Sequence, residues 1–449
     1  MRFQLLLRIA LIAAVALAIL VPIALIEGKI AERRGRAEEV RAQFAQETSG
    51  PQVISGPLLA IDCEETYTDE REVMRGGKAE TITEKKVRPC ATAYVAPRAL
   101  RVTGHVPVEE RHRGIYPIRM FRPRVRFAGE FSWPEPPHPH GLNPRSWRNA
   151  QLVMTVRDAR GIREVRSSPP TTQARGETID PRFALRSELG PYAPAAAGKP
   201  LPFDISLELI GTSSFGIAPV GDATDIHLTS NWPHPSFSGS WSPDERRIGP
   251  DGFEARWRLT HHSTGGQAMW DKEAREGRIF QTAAIVTVAL FDPVNAYALS
   301  YRATEYGFLF VLFTFAALAL AEVLSGARLH PIQYLLVGFA VAVFFLLLLA
   351  LSEHIAFTAA YGVAATACIA LLTFYLRHPL GTARRAGAFF AFFAAIYGAL
   401  FVLLRSEDHA MLMGSLLVFA LLAVAMVATR RLDWAEVSRR MTSPTPAAT

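Results

Sequence analysis

The run LLVGFAVAVFFLLLLALSEHIAFTAAYGVAATACIALLTFYL, residues 335–376, decides how the chain is read. It contains no lysine or arginine, and Glu353 and His354 are its only acid and its only histidine. As a single helix at ~1.5 Å per residue it would be about 63 Å long, twice the ~30 Å of hydrocarbon in a bilayer. A helix of that length cannot stay in lipid, so the run is expected to fold into two spans. Ser352, Glu353 and His354 mark where it turns, since polar groups are tolerated at the interface.

The same ruler finds the other spans. LLLRIALIAAVALAILVPIALI (5–26) carries Arg8 near its start and Pro22 near its end. A cleavable signal peptide has a shorter core followed by a small-residue cleavage site. Here the apolar run leads straight into GKIAERRGRAEEVRAQF (28–44), which reads as an uncleaved signal anchor continuing into a polar stalk helix. GFLFVLFTFAALALAEVL (307–324), 335–351, 356–376, GAFFAFFAAIYGALFVLL (387–404) and MLMGSLLVFALLAVAMVA (411–428) bring the expected total to six spans.

Composition agrees with a mixed protein. The 449 residues are 50% hydrophobic and 20% charged, with a positive mean hydropathy. That is too apolar for an ordinary soluble protein and too charged for one lying wholly in lipid. The formal charge of +7 would suit nucleic acid, but much of the arginine flanks apolar spans. The expected partner is the lipid bilayer, and no nucleic acid. Arg2, Arg8, Arg328, Arg377, Arg384, Arg385, Arg430, Arg431, Arg439 and Arg440 all fall on one side of six spans. That side is the cytoplasm by the positive-inside rule, with both termini on it. Long segments translocate largely regardless of charge. The expected organisation is an anchor over 1–27, a periplasmic β-rich domain with its stalk over 28–305, five transmembrane helices over 306–430, and a cytoplasmic tail over 431–449.

The external segment reads as strands. FDISLELIG (203–211) alternates Phe203, Ile205, Leu207 and Leu209 with polar residues, the period of a half-buried strand. QLVMTVRD (151–158), RVRFAGEF (124–131), FEARWRL (253–259) and TAAIVTVAL (282–290) alternate likewise. WPEPPHPHGLNP (133–144), SSPPTTQARGETIDP (167–181) and YAPAAAGKPLP (192–202) are proline-rich and are expected to be loops. The fold class expected is membrane α + β: an anchor helix, an all-β sandwich-like domain and a five-helix transmembrane bundle.

Gly76-Gly77 suits a two-residue turn. In a hairpin closed by it, paired residue numbers sum to 153, which sets Cys63 opposite Cys90. In an oxidising periplasm the pair can bridge. A bulge would shift the register, and two separate thiols then fit the sequence as well.

Sites of chemistry are few. G-x-x-x-x-G-K-[ST], G-x-S-x-G, H-E-x-x-H and C-x-x-C are all absent from the sequence, so no catalytic residue, metal site or cofactor is expected. His138 and His140 lack a third ligand. His261 and His262, read as adjacent strand residues, point to opposite faces. Trp241 and Trp257 read as core. Asn231-Trp232-Pro233-His234-Pro235, with Phe237 just beyond, fits a packed sandwich corner better than a recognition loop, its other reading. Both external hairpin tips combine acid and histidine, Glu353-His354 and Glu407-Asp408-His409, and Glu322 stands at the inner end of span two. Charged residues near hydrocarbon are candidate sites by default, although a turn needs polar residues anyway. If the tips met, they would suit a divalent cation or a proton relay.

Several segments together resemble one family. RGIYPIRMF (113–121), GTSSFGIAPVGDATDIHLTSNWPHPSFSGSWSPDERRI (211–248), DGFEARWRL (251–259), RLHPIQYLLVG (328–338), LLLALSEHIAF (347–357), AYGVAATACIALL (360–372) and TRRLDW (429–434) are similar to the CreD inner-membrane proteins. The resemblance runs in order through both domains. It implies a bacterial inner-membrane protein linked to cell-envelope integrity, under a sensor-kinase/response-regulator system that also bears on β-lactam response. It brings no catalytic residue.

Three function classes follow. The leading one is a non-enzymatic envelope protein whose β domain binds an envelope protein or a cell-wall component. A transporter or channel has enough spans but almost no polar residues within them. A membrane enzyme would have to work through the acid/histidine tips.

Overall fold

The computed structural model describes all residues except Met1, 76–77, 140, 142, 169–171, 174–182, 277, 279, 281–283, 291–295, 326–328, 381, 407–409 and 431–449. The chain divides into two compact units, Met1–Glu38 with Val294–Thr449, and Glu39–Pro293. The two ends of the 28–305 segment, 28–38 and 294–305, belong to the helical unit.

The helices are α1 (Arg2–Glu47), α2 (His261–Thr264), α3 (Gly266–Arg275), α4 (Ala296–Glu305), α5 (Gly307–Ser325), α6 (Pro331–Ser352), α7 (Phe357–Leu380), α8 (Ala383–Arg405) and α9 (Ala410–Thr429). Each of the six apolar segments coincides with a helix. Among the described residues, four helices are long and apolar enough to cross a membrane: α1, α6, α7 and α8. A fifth span arises if α4 and α5, bent by 48° at their junction, count as one, and α9 offers a shorter apolar stretch. Helix α4 escaped the sequence reading because its inward stripe is partly polar. Tyr297, Ser300 and Thr304 are buried beside Leu299 and Ala303.

Local chemistry sets the boundaries of α6. His330 caps it: its Nδ1 accepts the Ile332 N–H at 3.3 Å, while Gln333 Oε1 accepts the His330 N–H at 2.9 Å, and Pro331 fills the first turn. At the other end Glu353 keeps helical angles, and the His354 and Ile355 N–H groups close on Leu351 O at 3.0 and 2.9 Å. Helix α7 begins at Phe357. The 335–376 run is thus a tight helical hairpin turning at Glu353–Ala356.

Aromatic rings fill the centre of this unit. Phe310 lies 5.4, 5.1 and 5.0 Å from Phe344, Phe345 and Tyr397, centroid to centroid. The buried Tyr361 hydroxyl donates to Tyr397 O at 2.7 Å, which satisfies its polar end inside the apolar core. Helix α1 is part of this packing: Ile19 and Ile23 are buried in the same cluster as α5, α6, α7 and α8.

The other unit holds β1 (Gln52–Arg75), β2 (Lys78–Val95), β3 (Ala99–His105), β4 (Val108–Arg113), β5 (Tyr116–Phe121), β6 (Arg124–Ser132), β7 (Arg145–Val156), β8 (Ile162–Ser168) and β9 (Thr172–Gln173). It continues with β10 (Phe183–Pro191), β11 (Pro200–Leu209), β12 (Gly211–Thr212), β13 (Ser214–Ala218), β14 (Ala223–Ser230), β15 (Pro235–Gly239), β16 (Glu245–Gly249), β17 (Gly252–Thr260) and β18 (Val286–Leu290). An eight-stranded sheet runs β15-β18-β13-β1-β7-β10-β9 with β2 paired to β1. A seven-stranded sheet runs β16-β17-β14-β3-β6-β11-β8, and β12-β5-β4 make a third. Inward residues of both large sheets, such as Leu152 and Phe215 from one and Phe127 and Trp257 from the other, share one buried core. This is a sandwich with additions that the sequence reading lacked: helices α2 and α3, and two parallel pairings, β1 with β13 and β3 with β14.

Strand β11 keeps the predicted alternation, with Phe203, Ile205, Leu207 and Leu209 buried. It also starts earlier than expected, at Pro200, inside a stretch read as loop. Pro200 and Pro202 pair with β6 alone, and pairing with β8 begins only at Asp204. A missing N–H is tolerated on such an open side. Ser167 and Ser168, also read as loop, end β8, and Thr172–Gln173 form β9.

The register of the β1–β2 hairpin runs Arg75↔Lys78 to Cys63↔Cys90, and its bulge falls between Ile61 and Cys63. The irregularity therefore lies on the far side of the cysteines and leaves their pairing intact. Strand β7 supports β1 only as far as Glu65↔Arg145. Beyond that point the hairpin is a two-stranded ribbon.

Candidate functional site

The turn at the end of α6 gathers side chains from three helices of its unit. Glu353 Oε1 lies 3.7 Å from Arg33 Nε on α1 and accepts the Tyr297 hydroxyl of α4 at 3.4 Å. One residue earlier, the buried Ser352 hydroxyl meets that of Ser300 at 3.4 Å and donates to Leu349 O at 2.9 Å. The carboxylate is therefore engaged by a cation and a hydroxyl, and the cluster ties α1 and α4 to the hairpin. The other tip, Glu407, Asp408 and His409, lies outside the described residues. Glu322 is buried at the end of α5, where it accepts the Tyr334 hydroxyl at 2.9 Å and the Leu329 N–H at 3.3 Å. It fastens the start of α6 to the end of α5.

In the β unit, Cys63 and Cys90 are joined by a disulfide with their Cα atoms 5.0 Å apart. Two rungs on lies Glu65, which accepts from Arg88 at 3.1 Å and Asn143 at 3.2 Å. Burial opposes ionisation of Glu65, but the Asn143 and Arg88 hydrogen bonds and nearby arginines hold its carboxyl below the usual range.

The Trp232 segment is a fixed corner. Asn231 brackets Val108, accepting its N–H at 2.7 Å and donating to its carbonyl at 3.1 Å. Trp232 Nε1 donates to His234 O at 2.9 Å, and the Arg119 guanidinium lies 4.7 Å from the indole centroid. Phe237 packs edge-on against Phe253 and Trp257 at 5.6 and 5.8 Å. These contacts belong to a packed corner, with Phe237 turned into the core. His261 and His262 are not strand residues: they open α2, with rings 3.9 Å apart. Strand β17 ends at Thr260, whose backbone N–H donates to Ser263 Oγ at 3.3 Å, so the opposite-faces argument does not apply to them. His140 lies outside the described residues. Among the described residues, no group of three or more metal-ligating side chains comes together.

Two further features have no signature in the sequence. One is the seating of α1's C-terminal end. Gln52, fully buried, donates to Ser49 Oγ, Asp158 O and Ile210 O at 2.7, 2.9 and 3.1 Å. Arg160 donates to Gln46 O on the last turn, and Arg113 forks onto Glu47 at 2.9 and 3.2 Å. The other is a groove of ≈ 720 Å³ across the outer face of the seven-stranded sheet, lined by Thr103, His105, Arg124, Arg126, His227 and their neighbours. A second hollow of ≈ 450 Å³ shares Thr103 and His227 with it. Cross-strand pairs stud this face: Arg124 with Glu208 at 3.2 Å, and Arg256 with Asp225 at 2.7 Å. Hydrogen bonds and charge from Arg256, aided by Arg101 and Arg258, hold Asp225 below the usual carboxylate range. Strand alternation alone signals a polar outer face, but which polar residues share a hollow depends on register across five strands.

Two comparisons bear on this arrangement. A family model described as "Inner membrane protein CreD" matches residues 4–435. The Escherichia coli (strain K12) protein of that description is 33% identical over 423 residues, spanning 93% of this chain and 91% of that protein.

Proposed function

The chain belongs to the CreD family of inner membrane proteins, and from that premise we propose that it serves cell-envelope integrity by binding an envelope partner. In this reading the β unit lies in the periplasm, the apolar helices are embedded in the inner membrane, and both termini are cytoplasmic. The observation that carries the reading is the groove over the seven-stranded sheet. Arginine, histidine, glutamate, serine and threonine side chains line it, and it belongs to the unit outside the apolar helices. The arginines flanking the spans support the orientation. Engagement of Glu353 by Arg33 and Tyr297 favours a structural role for that tip over proton or group transfer. The aromatic packing around Phe310, Phe344 and Tyr397 favours a solid bundle over a conducting one.

Photo-crosslinking in cells from Thr103 and His227, followed by pulldown, tests the reading. A discrete envelope component captured from the groove, and not from the ribbon residue Thr83, is the expected result. Equal capture from both positions would sink it.

A further inference from the structure

Alternation along β3 and β14 turns Arg101, Thr103 and His105 outward beside Asp225, His227 and Thr229, in parallel register. Strand β17 sets Glu254 and Arg256 next to Thr229 and His227. Strand β16 then sets Arg247 and Glu245 opposite Glu254 and Arg256. The hollow between them is lined by four arginines, Arg101, Arg246, Arg247 and Arg256, against three carboxylates.

All three carboxylates are engaged. Asp225 takes Arg256 through two bonds, at 2.9 and 2.7 Å. Glu254 meets His227 Nε2 at 2.9 Å, and Glu245 receives Arg258. Arg101, Arg246 and Arg247 are left without a hydrogen-bonded carboxylate among the described residues, although Asp225 feels the charge of Arg101. Arginines outnumber carboxylates in the lining, and an anion entering the hollow between Arg101 and Arg247 balances that excess. The adjoining groove, continuous through Thr103 and His227, adds hydroxyl and imidazole groups, as polyol recognition requires.

We propose that this face binds an anionic oligosaccharide. Arg101 and Arg247 meet its acidic groups, and the Thr103 side of the groove meets its sugar hydroxyls. The proposal names a ligand class for the envelope-binding role and rests on that role for where the ligand is met.

The test uses the full chain in lipid nanodiscs, at low and at physiological salt, with three probes. They are a short oligogalacturonate, inorganic tripolyphosphate and an uncharged malto-oligosaccharide. Saturable binding of the oligogalacturonate that weakens with salt is expected, with tripolyphosphate weaker and the uncharged sugar silent. Arg101→Glu with Arg247→Glu is expected to weaken oligogalacturonate binding by about tenfold or more, or ~1.4 kcal/mol, with an unchanged melting curve. Undiminished binding by that variant, or no oligogalacturonate binding at all, overturns the proposal. Tripolyphosphate binding as tight as the sugar acid overturns its oligosaccharide part. None of these results touches the periplasmic placement, which reporter fusions decide separately.

Discussion

Ile19 of α1 occupies a notch that Gly338 of α6 leaves open. A Cβ at position 338 would lie 2.5 Å from Ile19 Cγ1 and 2.8 Å from its Cδ1. Gly307 leaves a similar gap for Ile23, at 2.8 Å from its Cγ2. The N-terminal apolar helix is thus packed into the helical unit at contact distance. Gly338→Leu is expected to destabilise this unit by about 1–3 kcal/mol through overpacking. Adding Ile19→Ala should recover part of the loss. Thermal melting of the detergent-solubilised protein checks both, and a double variant no better than the single one would argue against the notch.

The Cys63–Cys90 bridge closes the ribbon where support from β7 ends. Cys63→Ser with Cys90→Ser should cost about 2–4 kcal/mol, felt chiefly between residues 66 and 87. Limited proteolysis should cut there first. Mass spectrometry of unreduced peptides should find the pair linked and the buried Cys368 reduced.

At the hairpin tip, Arg33 is half exposed and Glu353 largely covered. The pair is long, at 3.7 Å, and its cation is open to solvent, and glutamine can still accept the Tyr297 hydroxyl, so Glu353→Gln with His354→Gln should lower stability only slightly, by about 1 kcal/mol. If the pair only turns the chain, envelope phenotype and protein level stay normal. A lost phenotype at a normal protein level would mean that the tip performs chemistry.

Topology has a direct readout. An alkaline-phosphatase fusion after Arg160 should be active, and one after Arg440 inactive. Activity at the second position would refute cytoplasmic placement of the C-terminus.

Acid should loosen the β unit. Arg160 holds Asp158, and Arg256 holds Asp225, below the ordinary carboxylate range. Their stabilisation is complete above the unfolded value of about 3.9 and is lost as pH falls through the lower folded values. Melting temperature should therefore drop below about pH 4, and less steeply in Asp225→Asn, whose starting stability is lower. An identical slope in the variant would remove Asp225 from the account.

Apolar length and strand alternation were legible in the sequence because each is a local property. The turn at Glu353, the six apolar helices and the buried stripe of β11 all follow from such periods. The Cys63–Cys90 register was legible as well, since paired positions in an antiparallel ladder keep a constant sum until a bulge intervenes. Helix α4 was not, because its buried face mixes Ser300 and Thr304 with Leu299. The partners of Glu353 were also beyond reach. Arg33 is more than three hundred positions away, and only the packing of α1 beside α6 makes the two neighbours. The hollow of Arg101 and Arg247 likewise exists only once β3, β14, β17 and β16 are set side by side.

The two parallel pairings carry a kinetic consequence. Strand β1 joins β13 through Gln52↔Phe215, and β3 joins β14 through Ala99↔Ala223. Each unites the early part of the unit with its late part, the kind of non-local closure that slows folding. On the proposed periplasmic placement, the chain is exported from its N-terminal end. Strands β1 and β3 would then emerge with one edge open and wait until residues near 230 had followed. During that interval the β1 edge at Gln52–Ser55 would be open to other unfolded chains. Periplasmic chaperones that shield strand edges should thus govern the yield of this protein more than its final stability does.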